Sequence, residues 1–141
     1  MHLATDGRGM PFGAVVAGAN VNDGTQAANV LDSLVVRPPT PAEPQASPDA
    51  RDLPSAKGDG AYGNEPTRER SARAGFRMRA PSRGQTRTPG IGRIRCAVER
   101  GHAMLSQFGR VARRLDRDAT RYLAWVQLAA CIIFIRGGFV S

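Results

Sequence analysis

Lysine is almost absent from this sequence, and acidic residues are too few to balance its arginines. Lys57 is the single lysine among 20 basic residues, against 12 acids and a net charge of +8 over 141 residues. A chain this basic, with a pI of about 11.1, is expected to bind a polyanion, most often a nucleic acid. The other interpretation is a surface made basic only by a general preference for arginine.

Cysteine and histidine are also scarce. Cys96 and Cys131 lie far apart and match neither a CxxC motif nor a zinc-ligand spacing, so both are predicted to be reduced thiols of a cytoplasmic protein. The N-terminal stretch MHLATDGRGM lacks the basic and apolar regions of an export signal. His2 and His102 have no metal-spaced partner, which predicts structural or exposed roles for them.

Hydrophobic runs are short. The longest, YLAWVQLAACIIFI at residues 122–135, has 14 residues and includes Gln127, fewer than the roughly 20 residues that span a bilayer. The run favours a core helix over residues 119–136 that ends before the glycine pair at 137–138. Trp125, and Tyr62 elsewhere, are predicted to be core residues. A membrane-associated tail is the alternative.

The first third of the chain predicts a hairpin and then a helix. His2–Thr5 and Met10–Ala17 are strand-like and flank the turn residues DGRG. A cap at Asn22 or Asp23 would precede a helix with one apolar stripe, which consists of Ala27, Val30, Leu31 and Leu34. Residues 37–54 carry six prolines and are predicted to form a long loop. Residues 80–92 are predicted to form a second, basic loop.

Asp59 stands between two glycines in SAKGDGAYGNE, residues 55–65. The pattern predicts an acid held open at the end of a strand, followed by a helix from Asn64 to about Gly75 and the short strand FRMR. The clearest amphipathic helix, RIRCAVERGHAMLSQF at residues 93–108, places Arg95 and Glu99 on one face. Spacing alone permits Asp59 and Glu99 to share a divalent ion. It equally permits a solvated loop acid and an ordinary ion pair.

Three blocks occur in order, namely HLATDGRGMPFGAVVAGANVNDG, KGDGAYGN and RCAVERGHAMLSQFGRVARRLDRDATRYLAWVQLA. Together they resemble the second half of a bacterial insertion-sequence transposase of the DDE type, a family with an RNase H-like fold. The resemblance covers nearly the whole chain. It implies a partial RNase H-like α/β domain over residues 1–141, with a β-hairpin, a mixed sheet remnant and flanking helices.

In that family three carboxylates hold two Mg²⁺ (or Mn²⁺) ions for DNA strand cleavage and transfer. The resemblance implies that Asp59 and Glu99 are the second and third carboxylates, each catalytic and metal-binding, and that Arg95 contacts phosphate. The family's first Asp lies upstream of the block that begins at His2, and Asp6 matches a turn acid. The chain is therefore expected to be a truncated transposase, or a fragment encoded by a decayed or split element, that is inactive alone. An upstream-encoded N-terminal half is one candidate partner, and whether it completes the site is left open by the sequence.

Arginine is concentrated after Asp59, because residues 66–117 hold 14 Arg and three acids. This segment is predicted to bind the phosphates of transposon ends and target DNA. The predicted DNA-binding residues are Arg68, Arg95, Arg110, Arg113 and Arg114. Neither a small-molecule substrate nor a membrane is expected as a partner. Two alternatives remain, a non-enzymatic basic nucleic-acid-binding protein and a largely disordered product of a relic reading frame.

Overall fold

The computed structural model describes residues 1–18, 20–37, 53–81 and 91–138, and for residues 91–95 it describes the backbone only. The described residues form two small sheets, five α-helices and one 3₁₀ helix. This is a mixed α/β fold, which confirms the predicted class. Residues 38–52 of the proline-rich segment and 82–90 of the basic segment lie outside the described residues.

The N-terminal hairpin forms where it was predicted. β1 (His2–Thr5) pairs antiparallel with β2 (Pro11–Val15), and the register shifts between Ala4 and Thr5. Pro11 opens β2 and pairs with Thr5 at this irregularity, a position where proline is tolerated. The hairpin therefore begins the fold with a short, kinked ribbon.

The Asp6 side chain closes the hairpin turn. Its Oδ1 accepts hydrogen bonds from the backbone N–H groups of Arg8 (2.8 Å) and Met10 (2.9 Å). Gly9 has φ +94°, a left-handed conformation that glycine adopts without steric cost. Asp6 is thus a turn residue, in agreement with its place in the family pattern.

Helix α1 (Asp23–Asp32) begins at the predicted cap. Asn22 is the N-cap, and its Oδ1 accepts a hydrogen bond from the Gly24 N–H at 2.9 Å. The predicted stripe is largely correct, since Ala27, Val30 and Leu31 are buried. The helix ends at Asp32, ahead of the prolines.

The second sheet consists of two parallel strands. β3 (Ser55–Lys57) pairs with β4 (Arg77–Arg79). A 3₁₀ helix (Gly60–Tyr62) and α2 (Glu65–Arg73) connect them. Parallel strands need such a crossover, which is usually helical.

Both ends of α2 follow the predicted signals. Asn64 caps the helix, because its Oδ1 accepts a hydrogen bond from the Thr67 N–H at 2.9 Å. Ala74 ends it, and Gly75 follows with φ +84°, as expected after a helix C-terminus. The FRMR strand is confirmed as β4.

Three helices complete the described chain, namely α3 (Ile91–Ser106), α4 (Gly109–Arg113) and α5 (Ala119–Gly138). Residues 91 and 92, both predicted as loop, lie in α3. The predicted end of the last helix is also wrong, because α5 continues through the glycine pair. Glycine costs a helix about 1 kcal/mol relative to alanine but does not forbid it.

Two apolar clusters hold these elements together. In the first, Ala27 and Leu31 of α1 pack with Ala74, Phe76 and Met78. In the second, buried residues of α3, α4 and α5 pack beneath the hairpin; they are Leu105, Val111, Tyr122, Val126, Ala129 and Ile133. Helix α1 also packs against β1 and β2, so it contacts both sheets.

The prediction that Trp125 is a core residue is wrong. Helix α5 buries one face, and Trp125 lies on another, where it is 36% exposed, with Leu128 at 51% and Ile135 at 60%. A run that is apolar on every side does not reveal from sequence which face the protein covers. The helix is therefore a core helix on one face only.

Candidate functional site

Asp59 follows β3 with one residue, Gly58, between them, on the turn that leads into the 3₁₀ helix. Its Oδ1 accepts a hydrogen bond from the Ala61 N–H at 3.0 Å, and the carboxylate is exposed. The residue before it lies close to an aromatic ring, since a Cβ on Gly58 would lie 2.9 Å from Cδ2 of Tyr62. The Tyr62 ring thus leaves too little room for a side chain at position 58, which favours glycine there.

A cavity of about 500 Å³ opens beside the Asp59 turn. Backbone and side chains at the start of α1 and before α2 line it, namely Val21, Asn22, Asp23, Gly60, Ala61, Gly63 and Asn64. Tyr62 stands in the sequence between two of these lining residues, Ala61 and Gly63. Burial raises the pKa of Tyr62 above its ordinary value of 10.0, and the charges of Asp23 and Asp59 raise it further. The charges of Asp23 and Asp59 thus both act on the phenol of Tyr62.

Sequence reasoning assigned Asp23 only to helix capping. In the structure Asn22 is the cap, and Asp23 Oδ1 lies 3.9 Å from Nδ1 of His2. Packing of α1 against β1 and the 3₁₀ helix brings Asp23 close to His2 and within electrostatic reach of Tyr62. No short-range sequence signal reports such packing.

Glu99 has an exposed side chain on α3. Its helix approaches the hairpin closely, because a Cβ on Gly101 would lie 2.8 Å from Cγ2 of Thr5 and 2.9 Å from the Gly9 carbonyl oxygen. Arg100 Nη1 also donates a hydrogen bond to the Arg8 carbonyl oxygen at 2.9 Å. These contacts fix the position of α3 relative to the hairpin.

The Arg95 side chain lies outside the part that the structure describes, so its pairing with Glu99 and its phosphate contact stay predictions. The other histidine, His102, is half-buried, and burial followed by the nearby N-terminal ammonium lowers its pKa. A structural role for His102 is consistent with that position.

Asp59 and Glu99 are carried by different parts of the fold. The turn after Asp59 packs against α1, whereas the helix with Glu99 packs against β1, α4 and α5. Among the described residues, no three His, Cys, Asp or Glu side chains form a group that could hold a metal ion. The predicted ligands thus fit a divalent ion only in part.

The predicted DNA-binding arginines differ in their contacts. Arg68 is half-buried, and its Nη2 donates to the Ala80 carbonyl oxygen at 3.1 Å. It therefore ties α2 to the residue after β4. Arg113, at the end of α4, is exposed and can reach a partner in solution.

Two further arginines lie against aromatic rings where α4 meets α5. Arg110 Cζ is 4.8 Å from the ring centroid of Trp125, and Arg110 Nη1 is 3.7 Å from Oδ2 of Asp116. Arg114 Cζ is 5.3 Å from the ring centroid of Tyr122. Sequence reasoning found these arginines but missed their aromatic partners, because Trp125 was predicted to be buried.

Helix α5 is also long and apolar enough to cross a membrane, judged by length and composition over Ala119–Gly137. This is weak evidence, because a core helix can meet the same criteria. One face of α5 does belong to the second apolar cluster.

Comparison with known proteins decides the family. The model of the transposase DDE domain matches residues 1–134. The chain belongs to the DDE transposase family. A protein of Burkholderia cepacia described as a candidate transposase for insertion sequence element IS402 is 31% identical over 132 residues. That alignment covers 94% of this chain and 60% of the relative, so the chain spans about 60% of that relative's length.

No solved structure matches this DDE transposase chain. The family resemblance drawn from the three sequence blocks is confirmed. The family generally uses divalent metal ions and acts on DNA, whereas the individual roles of Asp59, Glu99 and the arginines stay predictions.

Proposed function

We propose that this chain is the part of an insertion-sequence transposase that binds DNA and contributes Asp59 and Glu99 to a metal-dependent site for strand cleavage and transfer. The observation that carries the proposal is the DDE domain match over residues 1–134, within which Asp59 is an exposed acid on the turn that follows β3. Divalent ions bound in such sites stabilise the charge that develops during phosphoryl transfer.

The described residues do not complete that site. They contain no group of three potential metal ligands, and Mg²⁺ requires near-octahedral oxygen coordination. We therefore assign no cleavage step to the chain by itself. It is proposed to bind DNA in the cytoplasm and to leave that DNA uncut.

The proposal extends to an RNase H-like fold. Within the described ranges, β1 pairs with β2 and β3 with β4 as two separate sheets, and α1 packs against both. Isolated two-stranded sheets are only marginally stable. A strand from the N-terminal half of a complete transposase, paired with both sheets, would join them and bring another carboxylate to the site.

DNA binding by the chain itself is tested with the purified 141-residue protein. Fluorescence anisotropy of labelled duplex DNA is expected to show binding that weakens steeply as salt increases, because arginine contacts to phosphate release counterions. Incubation with Mg²⁺ is expected to leave the duplex intact. Absence of binding at low salt contradicts the proposal, and so does cleavage that Asp59→Ala leaves unchanged.

The site residues are tested in a chimera in which this chain replaces the matched 132-residue segment of the IS402 relative. Asp59→Asn and Glu99→Gln are each expected to lower DNA cleavage by about 100-fold or more, since each removes a metal ligand. The matched control is Asp32→Asn, an exposed acid paired with Arg37 at 3.1 Å. Full cleavage by either site variant would show that its carboxylate is not a ligand.

A further inference from the structure

An apolar groove lies between α4 and α5 and shares no residue with the lining of the cavity beside Asp59. It encloses about 220 Å³, and its walls include Phe108, Trp125, Leu128 and Ile132. Trp125 and Leu128 are 36% and 51% exposed, so the groove opens to solvent. This volume lies below the roughly 300–1,000 Å³ of drug-sized ligand pockets and suits a single ring system.

The surroundings of the groove are basic. Residues 109–121 hold five Arg and two Asp, and Arg110 itself lines the groove. Each aspartate lies near an arginine, with Asp116 at 3.7 Å from Arg110 and Asp118 at 4.0 Å from Arg121. The local charge therefore stays positive beside an apolar, aromatic surface.

We propose that this groove receives an unpaired DNA base, while the arginines around it contact the flanking phosphates. The inference rests on the DNA-binding function proposed above and adds the chemical group that this surface would recognise. Aromatic side chains stack on any base, and a neighbouring arginine strengthens such a site. Arg110, positioned over Trp125 and beside Asp116, is placed to meet a phosphate next to the stacked base.

The positive charge around the groove disfavours a second copy of this chain, which has a net charge of +8 and would bring like charges together, and the exposed residues separate DNA from a bilayer. A lipid bilayer or a second copy of the chain would use the whole exposed apolar face, including Ile135, which is 60% exposed and is not part of the groove. An unpaired base would use Trp125 and not Ile135. Substitutions of Trp125 and of Ile135 therefore distinguish an unpaired base from a bilayer or a second copy of the chain.

Trp125 is the only tryptophan in the sequence, so its fluorescence reports on the groove. The full chain is titrated with two duplexes of the same sequence, one fully paired and one with a single unpaired thymine. The duplex with the unpaired base is expected to bind about tenfold more tightly and to quench Trp125. Trp125→Ala should remove this preference, Trp125→Phe should retain much of it, and Ile135→Ala should leave it unchanged.

Circular dichroism establishes which variants fold, and the parent fluorescence gives a result that needs no variant. Equal affinity for both duplexes without quenching would overturn the groove assignment and leave DNA binding intact. Binding to neither duplex would overturn both. A fluorescence shift with anionic phospholipid vesicles but not with DNA would assign the face to a membrane. If Ile135→Ala removed the preference for the unpaired base, and the molecular mass in solution rose with protein concentration, the exposed face of α5 would be assigned to contact with a second copy of the chain.

Discussion

Gly101 lets α3 approach the hairpin more closely than a residue with a side chain would. A Cβ there would lie 2.8 Å from Thr5 Cγ2 and 2.9 Å from the Gly9 carbonyl oxygen, and the backbone oxygen cannot move cheaply. Gly101→Ala is therefore expected to lower the free energy of unfolding by about 1–3 kcal/mol, measured by urea denaturation. The control is Gly109→Ala, where the nearest atom is Arg113 Nη2 at 3.9 Å. Equal stability of the two variants would contradict the close contact.

Tyr62 reports on Asp59 through its pKa. Burial is the main cause of the raised pKa, followed by the charges of Asp23 and Asp59. Asp59→Asn should lower the Tyr62 pKa, but not fully to 10.0, because burial and Asp23 remain. Ultraviolet absorbance of tyrosinate measures the shift, and Asp32→Asn is the control. An unchanged titration would show that the charge of Asp59 does not act on the Tyr62 phenol.

The same pKa sets a pH dependence of stability. The folded state holds the Tyr62 proton more tightly than the unfolded state does, so Tyr62 stabilises the fold fully below about pH 10. That contribution is lost as the pH rises through the folded pKa. Tyr62→Phe should therefore remove part of the stability loss seen in urea denaturation above pH 10. An identical alkaline decline in both proteins would exclude Tyr62 as its source.

At the scale of elements, α1 and α2 are joined by a buried hydrogen bond. Thr67 is 1% exposed, and its Oγ1 donates to the Gly24 carbonyl oxygen at 3.1 Å. Thr67→Val keeps the shape but removes this hydrogen bond, so a loss of about 0.5–1.5 kcal/mol in unfolding free energy is expected. Thr120→Val, on the exposed start of α5, should change stability by less than about 0.5 kcal/mol. Similar losses in both variants would contradict the bond's importance.

Elements with local signals were predictable, and their packing was not. Asn22 and Asn64 mark helix starts through side-chain caps that act within three residues, and Gly75 marks a stop. The exposed face of α5 was missed, because residues 122–135 are apolar around the whole helix. Which face is covered depends on Leu105 and Val111, which come from other helices.

At the scale of the whole molecule, the sequence located the candidate acids but not their neighbours. The strand and turn pattern predicted that Asp59 is an acid at the end of a strand, and its place after β3 is confirmed. Its neighbourhood with Asp23 and Tyr62 depends on tertiary packing between α1 and the 3₁₀ helix. The family assignment needed the order of three separated blocks, which no local pattern contains.

Net charge also says little about which arginines meet DNA. Arg113 is exposed, whereas Arg68 donates to the Ala80 carbonyl oxygen. Arg113→Ala is expected to reduce the slope of log K against log salt by about 0.9, the value for one lost phosphate contact, and to leave stability unchanged. Arg68→Ala is expected to leave that slope unchanged and to lower the free energy of unfolding by about 1 kcal/mol. Fluorescence anisotropy over a salt series measures the slope, and urea denaturation measures the free energy of unfolding. A reduced slope with unaltered stability for Arg68→Ala would show that Arg68 contacts DNA.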